Sequence, residues 1–250
     1  MNLGIQNKVA LVTGSGRGIG LATARALGRE GAKICISDIM EENGLAAVKE
    51  LSDEGIEAFF VPCDVSKEED IINLFRKAEE KFGGVDILVN NAGISPKNYT
   101  FDQIPYDEFL NVLKINLLSV YLCSKAAFPY MKEKGWGRIV NLSSQSALTG
   151  GNVPMPHYVS TKGGIISITK SFARRMGPYG ITSNCVAPGR IESEMTSNLD
   201  PARKEEIRKS IPLGRMGTVE EVGDVITFLA SEAAAYVTGV CLEINGGWIV

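Results

Sequence analysis

Short apolar runs alternate with longer helical patterns along all 250 residues, and this alternation limits the fold more than any other feature. Strands are predicted over 8–12 ("KVALV"), 33–37 ("KICIS"), 57–61 ("EAFFV"), 85–89 ("VDILV"), 137–142 ("GRIVNL"), 181–186 ("ITSNCV") and 240–244 ("VCLEI"). Helical patterns lie between them, over 19–30, 41–54, 68–82, 103–132, 157–177 and 218–230. Several runs are apolar almost throughout, as strands buried on both faces require. Such strands separated by helices imply βαβ units. The expected fold is therefore α/β, a doubly wound (Rossmann) parallel sheet of about seven strands with helices on both faces. No linker, repeat or low-complexity tract interrupts the pattern, so residues 1–250 read as one domain. The segment 189–217 has no clear sheet partner, and "PARKEEIRKS" is its best helix; a mobile excursion at a strand's carboxyl end is expected to act as a substrate lid.

The first strand runs into "TGSGRGIG", with Gly14, Gly16, Gly18 and Gly20 at every second position, and then into a helix. A helix N-terminus offers unpaired N–H groups and partial positive charge, and glycine lets the backbone approach a pyrophosphate. The spacing is TGxxxGxG, with Gly14, Gly18 and Gly20 as its fixed positions. It is neither GxGxxG nor a P-loop, since no Gly-Lys-Ser/Thr follows. Asp38 closes the second strand, where dinucleotide folds place a carboxylate on the adenosine ribose. That carboxylate can accept a bond from a 2′-hydroxyl and repels a 2′-phosphate, so NAD is the expected cofactor. Arg17 is the counter-argument, because a basic residue there could meet a 2′-phosphate.

Further on come "CDVS" (63–66), "NNAG" (90–93), "YVSTK" (158–162) and "PGRIESEMT" (188–196). With these in order the chain resembles the classical short-chain dehydrogenase/reductase family, in particular its 3-oxoacyl-acyl-carrier-protein reductase-like members, from about Lys8 to the "NGG" at 245–247. The resemblance implies that Gly14, Ser15, Arg17, Gly18 and Ile19, with Gly20, line the pyrophosphate and adenosine end. It implies that Asp64 and Val65 flank the adenine, and that Asn91, Ala92 and Gly93 run beneath the centre of the cofactor while Asn90 ties the strand end to its neighbours. Pro188, Gly189, Ile191 and Ser193 would meet the nicotinamide.

Tyr158 and Lys162 are four apart in a helical pattern and share a face. A free phenol titrates near ~10; a nearby ammonium favours the phenolate and is expected to lower that value toward working pH. Lys162 would also grip the nicotinamide ribose. By resemblance, Ser144 polarises the substrate oxygen and Asn116 in "LKINLLSV" holds a water that relays protons from Lys162. Ser144 and Tyr158 stand one position further apart than the family usually has, which leaves Ser143 and Ser146 as rival serines; Ser144 is preferred because "NLSS" ends a strand. His157, the only histidine, reads as a packing or pocket-edge residue, and with no GxSxG elbow a Ser/His hydrolase is disfavoured. One histidine and five scattered cysteines give no catalytic metal site, and the cysteines read as reduced, buried thiols.

Net charge is −3, with no Lys/Arg block to suggest nucleic acid. No apolar stretch reaches the ~20 residues a membrane span needs, and the N-terminus has no signal-peptide pattern, so a cytoplasmic, reducing location is expected. The leading reading is an NAD(H)-dependent oxidoreductase acting on a small-molecule secondary alcohol or ketone. The alternative is an NADPH-dependent 3-oxoacyl-acyl-carrier-protein reductase, for which Lys132, Lys134, Arg138, Arg174 and Arg175 offer a modest basic docking face. A silent dinucleotide-binding protein is less favoured, having no need of Ser144, Tyr158 and Lys162 together. The stretches 145–156 and 190–210 would wall the substrate. A second apolar face on 103–132 and 157–177, and the terminal "WIV" of Trp248, Ile249 and Val250, suggest a partner subunit; the resemblance points to a homotetramer of dihedral symmetry.

Overall fold

The structure, a computed structural model, describes residues 3–95, 99–151, 155–192 and 200–249. Its strands are β1 (Val9–Thr13), β2 (Lys33–Asp38), β3 (Ala58–Pro62), β4 (Ile87–Asn90), β5 (Gly137–Leu142), β6 (Ile181–Pro188) and β7 (Cys241–Ile244). They form one seven-stranded sheet in the order β3-β2-β1-β4-β5-β6-β7, every adjacent pair parallel. The helices are α1 (Gly18–Arg29), α2 (Glu41–Asp53), α3 (Glu68–Phe82), α4 (Tyr106–Leu113), α5 (Ser119–Lys134), α6 (Ser146–Thr149), α7 (Pro156–Met176), α8 (Pro201–Lys209) and α9 (Val219–Leu229). All seven strands lie within two residues of the segments the apolar runs predict.

The two-residue period of the strands sorts their side chains into two core layers. Ala10, Val12, Ile34, Ile36, Ile87 and Val89 face α1, α2 and α9, meeting Leu27, Leu51 and Ile226. Leu11, Cys35, Leu88 and Ile139 face the other way, onto Leu74 of α3, Met131 of α5 and Ile165 of α7. Burial on both faces is why the runs are apolar without alternation, and it makes the fold an α/β doubly wound sheet. The five cysteines are free thiols, and only Cys241 is not fully buried.

The predicted helix over 103–132 is not continuous. A 3-10 turn at Phe101–Gln103 leads into α4, and a π-helical turn at Lys114–Leu118 separates α4 from α5. The cause lies at Asn116. Its Oδ1 accepts from the Ile94 N–H at 2.8 Å and its Nδ2 donates to the Ile94 carbonyl at 3.0 Å. Satisfying this fully buried amide on a neighbouring segment fits a locally widened turn.

The terminal Trp248 makes contacts within the chain. It packs on the small cluster of Ile207, Ile211 and Met216 and lies 4.8 Å from the Arg190 guanidinium. Ile249 is held through its carbonyl by Asn245; Val250 lies outside the described residues. The lid segment is described at 189–192 and 200–217. Its two ends are pinned together, Ile191 bridging Gly217 in parallel, with Glu192 N–H donating to Gly217 and Gly217 N–H to Arg190.

Candidate active site

The chain leaves β1 in one direction across the sheet and returns to β4 on the other side, so the carboxyl ends of β1 and β4 open a crevice where α/β folds bind ligands. The loop 14–17 enters this crevice from β1. Gly14 and Gly18 have φ of +62° and +57°, the left-handed region. A Cβ on Gly18 would meet nothing within 4 Å, so open space lies over the start of α1. Gly20 has no room at all: a Cβ there would stand 2.3 Å from the Gly14 carbonyl. Open space at a helix N-terminus, reached by bare backbone, fits a pyrophosphate.

Asp38 is brought to the same loop. Its Oδ2 accepts from Gly16 N–H and its Oδ1 from Met40 N–H, each at 3.0 Å. Each oxygen keeps a lone pair for a further donor. This gives Gly16 a function the spacing reading missed: its Cβ would stand 2.8 Å from Asp38 Oδ2 and 2.7 Å from Asn43. The signal was the alternation of glycines itself. Arg17 is exposed and begins α1 with extended backbone.

Several of the expected cofactor residues have side chains engaged in the scaffold. The Ser15 side chain is turned inward, its hydroxyl donating to Val12 and accepting from Ser37 N–H, because the loop needs a tie to β2. The Asn91 amide donates to the carbonyls of Thr13 and Gly14, both at 2.8 Å. Thr13, which the sequence reading did not single out, accepts from the N–H groups of Asn91 and Ala92. Asn90 bonds Ser124 and Asn141, as expected of a strand-end tie. Val65 belongs to the core beside Cys63 and Ile71 and is only 8% exposed. The Asp64 carboxylate is engaged by Ser66 and Lys67. Burial works to raise its pKa, but the Ser66 hydroxyl and N–H, with Lys67, hold it below the usual carboxylate range. Ile19 packs partly against the core and Ala92 does the same on the other layer; Gly93 is exposed.

Ser144, Tyr158 and Lys162 meet where β5 ends against α7. Ser143 is eliminated as the reacting serine: it is buried and donates to the Lys162 carbonyl at 2.8 Å. Ser146 opens α6, and its N–H donates to Ser144 Oγ. Of the three serines, Ser144 is the one whose hydroxyl acts on the Tyr158 phenol, favouring the phenolate. Lys162 is 4% exposed, donates from Nζ to the Leu142 carbonyl at 2.7 Å, and lies 5.7 Å from the Tyr158 ring centre. Burial pushes Lys162 down to about 8. The Tyr158 phenol is raised, not lowered as the sequence reading expects. Burial penalises the phenolate more than the Ser144 hydroxyl favours it. Asn116 faces the same spot from below: a Cβ on Gly93 would stand 3.2 Å from Asn116 Oδ1 and 3.6 Å from Lys162 Nζ. Its amide, however, is already committed to Ile94.

At the ends of β5, β6 and β7, Pro188 is buried and Gly189 donates its N–H to Ile244. A Gly189 Cβ would stand 2.8 Å from Gln145 Oε1 and 2.9 Å from Asn245 Cβ. Ile191 is core-packed, and Ser193 lies outside the described residues. His157 is fully buried between the rings of Tyr99 and Phe109. Arg138 leaves the proposed basic docking face: it is 3% exposed and paired with Glu232.

Residues 14–249 match the family described as Enoyl-(Acyl carrier protein) reductase. A 3-oxoacyl-acyl-carrier-protein reductase of Aquifex aeolicus is 40% identical over 99% of both chains. One from Pseudomonas aeruginosa is 40% identical over 98% of both. The crystal structure of a putative gluconate dehydrogenase from Agrobacterium tumefaciens superposes with a TM-score of 0.94 at 31% identity, covering 99% of this chain and 98% of its own. With a Rossmann sheet, a glycine-lined crevice and a Ser-Tyr-Lys cluster at the end of β5, the chain belongs to the short-chain dehydrogenase/reductase family of oxidoreductases.

Proposed function

We propose that this protein interconverts a ketone and a secondary alcohol with a nicotinamide dinucleotide, NAD(H) in preference to NADP(H). The observation that carries the reading is the meeting of Ser144, Tyr158 and Lys162 beside the Gly14–Gly20 crevice. The cofactor supplies or takes up the hydride. Gly14, Gly18 and the start of α1 would hold its pyrophosphate and Asp38 its adenosine ribose. Tyr158 stays protonated at neutral pH and gives its phenolic proton to the carbonyl oxygen during reduction. Ser144 donates a hydrogen bond to that same oxygen. Lys162, cationic below about pH 8, steadies the phenolate left behind. Asn116 acts through Ile94 and Gly93 as a positioning residue. Residues 189–217 would cover the substrate.

On the substrate, the two reductase relatives favour a 3-oxoacyl thioester of a carrier protein over an unspecified ketone, and the gluconate dehydrogenase neighbour favours a polyhydroxy acid. The cofactor argument stands apart from both. A 2′-phosphate ~4 Å from the Asp38 carboxylate is repelled by roughly 4 kcal/mol at an effective dielectric of about 20, less in salt. The test is oxidation of NADH and NADPH with 3-oxobutanoyl thioesters and a ketone panel. A higher kcat/KM with NADH supports the reading, and oxidation of neither cofactor by any carbonyl overturns it.

A further inference from the structure

Gln145 directly follows Ser144 and is 2% exposed, yet among the described residues neither its Oε1 nor its Nε2 has a hydrogen-bond partner. Its place in the fold is fixed. The Gln145 N–H donates to the Pro188 carbonyl at 3.0 Å, and its side chain fills the space that Gly189 leaves by having no Cβ. It therefore sits over the carboxyl ends of β5 and β6, beside the serine that meets the substrate oxygen. Other buried unpartnered groups are mostly hydroxyls, which rotate freely, or the His157 ring, which is packed against two aromatic rings. A primary amide is different: planar, with two donors and two acceptor lone pairs. Buried polar groups are paired in folded proteins, so one left unpartnered beside a reaction centre calls for a ligand.

We propose that Gln145 determines specificity by pairing with a hydroxyl on the carbon next to the reacting carbonyl, which makes the substrate a hydroxyketone or the matching vicinal diol. This rests on the oxidoreductase reading above and deepens it. A hydroxyl both donates and accepts, so it satisfies Oε1 and Nε2 in turn. A thioester carbonyl only accepts and leaves Oε1 unpaired. A site built to bond a substrate hydroxyl discriminates strongly against the analogue lacking it.

The experiment measures kcat/KM with NADH for 3-hydroxybutan-2-one, butan-2-one and ethyl 3-oxobutanoate. The wild type is expected to prefer the hydroxyketone over butan-2-one by about tenfold or more. Gln145→Leu should reduce that ratio at least about tenfold, and Gln145→Met, closer in shape, serves if the leucine variant does not fold. An unchanged ratio in the variants, or a wild-type preference for ethyl 3-oxobutanoate, overturns the inference while leaving the oxidoreductase reading in place. So does a loss of NADH affinity in the variants by fluorescence titration, which would assign the amide to the cofactor. No oxidation of NADH by any of the three overturns both.

Discussion

Tyr158 and Lys162 pull against each other through the solvent they exclude. Burial opposes the phenolate on one and the ammonium on the other. A phenol held protonated is suited to donate in the direction of ketone reduction. Tyr158→Phe is expected to lower kcat by about 10²–10⁴ with cofactor affinity retained; near-wild-type turnover would remove the assignment. The pH dependence follows from Lys162. It is charged below about 8 and neutral above, so kcat/KM for reduction should hold through neutral pH and fall as pH rises through about 8. Lys162→Arg keeps the charge to much higher pH, and what activity it retains should lose that fall. A wild-type profile flat to pH 10 would contradict the role of the charge. Asp38→Ala should narrow or reverse the NADH preference, measured as the ratio of kcat/KM values. An unaltered ratio would shift the discrimination to another residue.

Among the elements, the segments that hold the site still are those that tie strand ends together. Asn90, Asn141 and Thr169 run as one buried chain from β4 through β5 to α7, and Asn116 locks the stretch after β4 onto the π turn. Asn116→Ala strips two partners from the Ile94 backbone, at a cost of about 1–3 kcal/mol. For a chain of this length that is a Tm lower by roughly 2–4 °C per kcal/mol, readable by calorimetry; an unchanged Tm would mean water replaces the amide. The strands were legible because parallel strands buried on both faces show it in composition alone. The Gly14–Gly20 loop and the Tyr158/Lys162 pair were legible because their chemistry needs fixed spacing. The π turn was not, since its cause is a contact between residues 22 apart in sequence. Ser144 was preferred to Ser143 only from its place at a strand end; what turns the Ser143 hydroxyl inward is the Lys162 carbonyl passing beneath, which the sequence does not display. Gln145 falls in the stretch 145–156 expected to wall the substrate, but nothing singles it out there until its burial is seen.

At the scale of the whole molecule, one surface is out of keeping with a lone chain. Leu110, Leu113, Leu117, Leu118, Tyr121 and Ile168 line an open groove of about 720 Å³ between α4–α5 and α7. Leu118 is 45% and Tyr121 44% exposed. An apolar surface of this kind marks an association site. We propose that a second copy covers it by twofold symmetry, as part of the homotetramer the family resemblance suggests. In an isologous interface each residue near the axis faces its own counterpart, so one introduced charge acts twice. Leu118→Glu removes apolar contact from both subunits and sets two carboxylates near each other in a dry contact. The wild type is then expected to scatter light as a tetramer at micromolar concentration and the variant as a smaller species. Activity should fall with the assembly, because α7 carries Gly164 and Ile168 in the groove and Tyr158 and Lys162 in the site. Loosening one face of a 21-residue helix disturbs the residues on the other. A monomeric wild type would remove the interface, and a tetrameric Leu118→Glu protein would move it off this groove.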